Sequence, residues 1–334
     1  MPDVATRSGF EAIDEPTIHV VCPARLVTGG TELLHQLVGH LVAAGRNASI
    51  VYTPWGGDWT TPEEFTRYGC PVVRNPRDEC GVALIVPEVS TEHLRRYPRA
   101  RHVVWWLSVT NYSGGFGNRH QLMHYVRRWI LPDMPAGASH LFQSAYAREF
   151  VKRRFGRTGA MLTDYLADEY LMGEASPKEQ SRRNIVLFNP RKGWSYTSKL
   201  IKTLPGVRFM ALEGMDRTQL KAALDSCKLY IDFGEHPGKD RLPREAAVRG
   251  AVVIVGRRGS ANYAEDVPLP DSYKVDLRRL SVHAVGRVIL DAMDRFDWHQ
   301  ARQLPYRISI MKEREKFHKQ ADEVFGINRA RAIL

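Results

Sequence analysis

The sequence predicts a two-domain α/β chain with mainly parallel sheets. Three observations carry that expectation. Short apolar runs alternate with segments of helical period, the alternation occurs twice, and a polar segment without period separates the two occurrences. With 334 residues, 43% of them hydrophobic, the chain is long enough for two cores of ordinary size.

Taken in order, Thr17–Cys22 reads as a buried strand. After the turn Thr28-Gly29-Gly30, the stretch Thr31–Ala44 places Leu33, Leu34, Leu37, Val38, Leu41 and Val42 at helical spacing, and Gly45 stops it. Ala48–Tyr52, Val82–Val86, His102–Leu107 and His140–Gln143 are further strands, with helices over Thr91–Tyr97 and Ala145–Phe155. Gly173–Arg183 holds a proline and no apolar period, so it reads as a linker. The second alternation has strands at Asn184–Phe188, Val207–Ala211, Leu229–Phe233 and Val252–Val255. Its helices are Ser195–Thr203, Arg217–Asp225, Arg241–Arg249 and Val282–Asp294. These elements give an N-terminal domain over 1–172, a linker over 173–183, a C-terminal domain over 184–300 and a charged, partly helical tail over 301–334. Strands that are apolar throughout need cover on both faces. The expected architecture is therefore two Rossmann-like domains facing a cleft, with ligands at the carboxyl ends of the strands.

The net charge of +11 is unevenly placed. Residues 1–175 carry 18 basic and 18 acidic side chains, leaving 30 and 19 in 176–334. An anionic ligand is expected in the C-terminal half, beside basic side chains that are simply solvated. Four scattered cysteines without a Cys-x-x-Cys pair argue against zinc and against a disulfide framework. No apolar run approaches the roughly 20 residues that span a bilayer, and Met1–Glu15 lacks the apolar stretch of a secretory signal. A cytoplasmic protein is the expectation, with loose membrane association of the basic tail left open. Gly-x-Ser-x-Gly, His-Glu-x-x-His and the Walker A pattern are all missing from the sequence. So is an Asp-x-Asp triplet, which argues against a nucleotide gripped through a carboxylate-bound metal. His120 and His124 are four apart without an evident carboxylate partner and read as surface or core histidines.

Three segments of the second half could hold an anion. In Phe188–Trp194 a strand ends, Asn189-Pro190 turns the chain, and Arg191 and Lys192 precede a helix whose first N–H groups attract negative charge. The alternative is a solvated turn with two surface cations. In Asp232–Ala247 a loop with two glycines and two prolines leads into a helix bearing Lys239, Asp240, Arg241 and Arg244, as a diphosphate site requires. Glu245, in the first turns of that helix, can reach a sugar or ribose hydroxyl pair, or else pair with a neighbouring arginine. Gly256–Ala261, with Gly259 and Ser260, would form a second wall of the same pocket. In the first half, Gly29 and Gly30 allow backbone to approach a ligand closely. The aromatic stretch from Trp105 through Trp106, Asn111 and Tyr112 to Gly114-Gly115-Phe116-Gly117 is either an acceptor-binding loop or a set of buried strand aromatics.

These residues resemble a known group. Gly29-Gly30-Thr31-Glu32-Leu33-Leu34 looks like the opening, and Glu245-Ala246-Ala247-Val248-Arg249-Gly250-Ala251-Val252-Val253 like the EA-x-x-x-G-x-x-V segment, of GT-B glycosyltransferases of the large family 4 type. Lys192-Gly193 resembles their KG pair. The Asn-Pro-Arg-Lys-Gly and His-Pro-Gly-Lys-Asp-Arg segments are closer still to glycosyltransferase-like proteins of bacterial surface-polysaccharide clusters. The resemblance covers the chain in outline and residues 185–265 specifically. It implies a nucleotide-diphosphate sugar in the C-terminal domain, a carbohydrate or lipid-linked acceptor on the N-terminal one, and no cofactor. Arg191, Lys192, Lys239 and Arg241 would neutralise the leaving diphosphate in place of a metal, and Glu245 would hold the ribose. Two positions depart from the pattern: Pro237 stands where a second glutamate is usual, and Arg191 alone could replace the usual arginine. A glycosyltransferase acting on nucleic acid, and a degenerate scaffold that binds a nucleotide or a partner protein, are the alternatives.

Overall fold

The computed structural model describes residues 11–112, 134–171 and 182–327, and the chain divides into two compact units. The first is Met1–Asp164 with Glu315–Leu334, and the second is Tyr165–Arg314.

The sheet of the first unit contains β1 (Thr17–Pro23), β2 (Asn47–Thr53), β3 (Val72–Val73), β4 (Val82–Pro87), β5 (Arg101–Trp106), β6 (Ser139–Phe142) and β7 (Ala160–Met161). All pairings are parallel, in the order β3-β2-β1-β4-β5-β6-β7. β4 is buried at every position, as a central strand covered on both faces must be. Helix α1 (Gly29–Ala43) starts from a capping box: the Thr28 hydroxyl accepts from the Thr31 N–H, and the Thr31 hydroxyl accepts from the Thr28 N–H. Its apolar stripe Leu33, Leu34, Leu37, Val38 and Leu41 is buried, and Gly45 leaves it at φ 80°. Helix α2 (Ala145–Phe155) is capped by Ser144 and stopped by Gly156 at φ 63°.

The helix expected over Thr91–Tyr97 is instead a 3-10 segment, Glu88–Arg96, broken at Ser90. Leu94 is its one buried apolar residue, so no i, i+4 stripe favours the α form. Gly114-Gly115-Phe116-Gly117, His120, His124 and nearly all of the expected linker lie outside the described residues.

In the second unit β8 (Arg183–Phe188), β9 (Arg208–Ala211), β10 (Cys227–Asp232), β11 (Val252–Gly256) and β12 (Lys274–Val275) form a parallel sheet in the order β12-β11-β10-β8-β9. After a one-turn helix at Asp168–Leu171, the longer helices are α3 (Trp194–Thr203), α4 (Arg217–Ser226), α5 (Arg241–Val248), α6 (Val282–Asp294), α7 (Phe296–Arg302) and α8 (Leu304–Met311), followed by α9 (Glu313–Val324). In each unit the first strand has neighbours on both sides, reached by connections that leave in opposite directions. The crevice outside its carboxyl end is the topological switch point where doubly wound folds bind ligands. In the second unit that point lies between β8 and β10.

The units divide differently from the sequence-based boundaries. Leu166, Ala167 and Tyr170 join the core of the second unit, so its chain begins before the polar segment. After Arg314 the tail returns to the first unit, where Phe317, Ala321, Val324 and Phe325 are buried. Each buried phenylalanine contributes about 1.5–3 kcal/mol. Polar contacts fix the register: Gln320 Oε1 accepts from Thr163 N and Oγ1, both at 2.9 Å, and Asp322 Oδ1 pairs with His40 Nε2 at 2.9 Å.

Candidate functional site

Three loops of the second unit meet at the switch point. The first, Asn189–Gly193, follows β8, and Gly193 adopts φ 63°. A Cβ there would lie 2.5 Å from the Phe233 carbonyl carbon, and one on Gly234 would lie 2.6 Å from Lys192 Cβ. Only glycine at both positions lets the β8 and β10 loops press backbone to backbone. That contact carries Lys192 across the β10 loop, where its Nζ donates to Asp240 Oδ2 at 2.6 Å and to the Glu235 carbonyl at 3.3 Å. Arg191 beside it is exposed. Trp194, 53% exposed, stacks on Phe188 and presents an aromatic face at the start of α3.

The second loop holds a buried cluster. Asp232 closes β10, accepting from Gly234 N at 2.9 Å and from the Tyr230 hydroxyl at 3.2 Å. His236 Nδ1 lies 2.8 Å from Asp240 Oδ2, and its Nε2 lies 3.9 Å from Asp232 Oδ1. Burial lowers the His236 pKa, but the hydrogen bond to Asp240 and the charges of both aspartates outweigh burial and hold it above the ordinary 6.5. The converse holds for Asp240: burial raises it, and His236 and Lys192 bring it below the ordinary 3.8. Asp232, His236 and Asp240 could hold a metal ion, since their ligand atoms lie within 4.8 Å of one another. Lys192 pairs with the same Asp240 oxygen at 2.6 Å.

From the second loop into α5, the cations divide by direction. Arg241 Nε donates to Glu245 Oε1 at 3.2 Å, and its guanidinium lies over Tyr170. Lys239, expected to face a diphosphate, is turned inward: its Nζ pairs with Glu313 Oε1 at 2.7 Å, and Arg244 binds the other oxygen at 2.6 Å. Arg244 also donates to the carbonyls of Lys239 and Asp240, so this network pins the loop's backbone.

The third loop closes on the second. Ser260 N donates to the His236 carbonyl at 2.8 Å and Ser260 Oγ to the Gly238 carbonyl at 2.6 Å. Gly259 adopts φ 53°, and a Cβ on it would stand 2.0 Å from the His236 carbonyl oxygen. Gly259→Ala is therefore expected to destabilise the second unit by about 2–3 kcal/mol through strain and forced separation of the loops. Urea unfolding checks this, and an unchanged midpoint would contradict it.

The structure thus brings Arg191, Lys192, Asp240, Arg241, Glu245, Gly259 and Ser260 onto three adjoining loops and the helix that follows them, and sets Lys239 apart. In the first unit, Gly29 and Gly30 open α1, and a Cβ on Gly30 would make only ordinary contacts, so local packing does not require that glycine. Asn111 is exposed. Trp106 and Tyr112 are core residues, Trp106 donating its indole N–H to His140 Nδ1 at 3.1 Å. Sequence reasoning missed Arg25, after β1, at φ 61° over the Trp59 ring. It also missed Glu313, 69 residues beyond Arg244, for which no local signal exists.

This pair of parallel-sheet units has counterparts among solved structures. A sucrose-phosphate synthase from Thermosynechococcus elongatus superposes with a TM-score of 0.66 at 13% identity, covering 94% of this chain and 99% of that one. The fold is GT-B. A glycosyltransferase from Rickettsia africae gives 0.59 at 12% identity, with 93% and 98% covered. WaaG, a glycosyltransferase involved in lipopolysaccharide biosynthesis, gives 0.57 at 12% identity, with 93% and 99% covered. No family model matches the sequence, and no curated protein matches it. Among the described residues of this GT-B chain, no helix is long and apolar enough to cross a membrane.

Proposed function

We propose that the protein is a glycosyltransferase whose second unit binds a nucleotide-diphosphate sugar. The observation that carries this reading is the convergence of the Asn189–Gly193, Phe233–Asp240 and Gly256–Ser260 segments beside β8, β10 and β11, with Lys192 on Asp240 and Arg241 on the buried carboxylate of Glu245. Arg191 and Lys192 would meet the diphosphate and stabilise negative charge as the leaving group departs, which assigns the task of a metal to side chains. Arg241 would add charge and hold Glu245, which would take the ribose hydroxyls. Trp194 offers a stacking face near the same loop. The acceptor, a polysaccharide or glycolipid precursor, would belong to the first unit.

A second reading, donor binding without transfer, draws on Pro237 and on Lys239 being engaged by Glu313. Turnover of a bound donor separates the two.

Glu245→Gln is expected to weaken donor binding by about 1.5–3 kcal/mol, tenfold to a hundredfold, through loss of one charge-assisted hydrogen bond. Calorimetric titration of donor into wild type and variant measures it. Equal affinities would remove Glu245 from the site.

A further inference from the structure

Leu304, Ile308 and Met311 recur at i, i+4 and i+7 of α8 and are 48%, 42% and 60% exposed. Apart from Arg307 and Ser309 this helix is apolar or aromatic, and a helix apolar on every side is normally covered on every side. Its inner face is covered: Tyr306 and Ile310 are buried in the core of the second unit. It cannot roll to hide the outer one. Gln303, just before it, accepts from Val253 N at 2.9 Å and donates to the Val253 carbonyl at 2.8 Å, which fastens the start of the helix to β11. The contacts that build the core therefore hold the outer stripe in solvent.

Trp298 extends the exposed surface onto α7. It is 48% exposed, with the Arg295 guanidinium 4.8 Å and the Arg302 guanidinium 4.7 Å from its ring centroid. Arg302 closes α7 two residues before Leu304, so the indole and the stripe adjoin through it.

Charge decides what can cover this surface. From Arg295 to Lys312 the chain also carries Arg302 and Arg307, and Asp297 alone is acidic. Arg295 is paired with Asp291, and from Ala301 to Lys312 there is no acidic residue at all. Two copies packed by a twofold axis would set these cations against one another, which counts against a second copy of the chain as the cover. What fits is hydrocarbon beneath a layer of anions. Tryptophan settles at such a boundary, with leucine, isoleucine and methionine below it. Arginine and lysine lay their stems along the hydrocarbon and keep their charged heads among the phosphates. We propose that α7 and α8 form a docking face for an anionic lipid surface. The stripe is about 10 Å long, so the helix lies in the interface and does not cross it. None of these side chains belongs to the donor loops, so the docking face and the donor site can fail separately.

The test is flotation of the intact protein with vesicles of phosphatidylcholine alone and of phosphatidylcholine with about 30% phosphatidylglycerol, which supplies a negative surface potential. Wild type should float with the anionic vesicles and stay behind with the neutral ones, and about 0.5 M salt should release most of it. The triple variant Leu304→Ser, Ile308→Ser, Met311→Ser should bind the anionic vesicles at least about tenfold more weakly. Arg302→Gln with Lys312→Gln should weaken binding by about twenty-five-fold, fivefold for each cation. All five positions are exposed, and unchanged urea midpoints would confirm that the variants fold. Leu280→Ser, at an exposed leucine outside both helices, should leave binding as it is. A wild type that ignores anionic vesicles would overturn the docking face, a result that needs no variant to fold. Binding by the triple variant equal to that of wild type would overturn it too, since net charge alone would then account for the attraction. A wild-type dimer in sedimentation that the triple variant dissolves would give the face to a second copy and overturn it as well.

Discussion

Glu313→Ala is expected to lower the stability of the second unit by about 3–5 kcal/mol, because it removes the buried carboxylate that pairs with two buried cations. Glu313 is 5% exposed, and its two oxygens hold Lys239 at 2.7 Å and Arg244 at 2.6 Å. Arg244 cannot turn to solvent without dragging the loop, since it also donates to the carbonyls of Lys239 and Asp240. The loss should therefore reach the site: Asp240 and the Lys192 it holds would be displaced, and donor affinity would fall with stability. Adding Lys239→Met to Glu313→Ala should recover part of the loss, because one of the two buried charges that faced Glu313 is removed. Urea unfolding followed in both units separately is the measurement, since a two-unit chain need not unfold in one step. A loss under about 1 kcal/mol would mean that the three side chains are solvated and the network carries no load.

The first unit should weaken on acidification by a comparable amount. His19 and His140 are buried, and burial, followed by a nearby arginine (Arg77 for His19, Arg157 for His140), pulls each pKa from 6.5 to about 4. His140 accepts the Trp106 indole N–H at Nδ1, and His19 Nδ1 shares a hydrogen bond with the Ser49 hydroxyl at 2.8 Å. Such histidines fold neutral. Below about pH 6.5 the unfolded chain binds protons that the folded chain refuses, so stability falls as pH drops, until the folded groups protonate near 4. Each histidine contributes on the order of 3 kcal/mol to that fall. His236 has the opposite sign. Its raised pKa gives the second unit stability that is fully present below about 6.5 and lost as pH rises through the raised value. Denaturant midpoints of the first unit between about pH 7 and 4 check the acid side, and His140→Gln should reduce the slope, the remainder resting on His19 and on His35 and His93, which burial also lowers. A slope unchanged by the substitution would show that other groups carry the acid dependence.

Much of this architecture is legible in the residues because local rules and burial agree. The apolar runs that begin β1, β2, β4, β8 and β11 are central strands, and Ser144 and Gly156 bound α2 where the sequence placed its ends. The edge strands β3, β7 and β12, of two residues each, carry no period and left no signal. The tail's return to the first unit was hidden for a different reason. Its buried residues Phe317, Ala321 and Val324 sit in a charged helix, and nothing in their spacing says which core they enter. At the site, Lys192, Arg241, Glu245 and Gly259 announced themselves through turn and helix-start chemistry. The inward turn of Lys239 depends on a carboxylate 74 residues away, and the trapping of His236 on distances set by three loops. Long-range pairing of this kind is not written in a local pattern.

The account turns on whether the loops beside β8, β10 and β11 bind a nucleotide-diphosphate sugar through side chains rather than a metal. Thermal unfolding of the purified protein with UDP-, GDP-, ADP-, TDP- and CMP-linked sugars, with and without EDTA, asks this directly. At about a hundred times its dissociation constant, the right donor should add roughly 2.7 kcal/mol and raise the midpoint by a few degrees. The expected result is a shift with one nucleotide class that survives EDTA and is lost in Lys192→Met. A shift abolished by EDTA would contradict the assignment of the charge to side chains, and no shift with any donor would contradict the site itself.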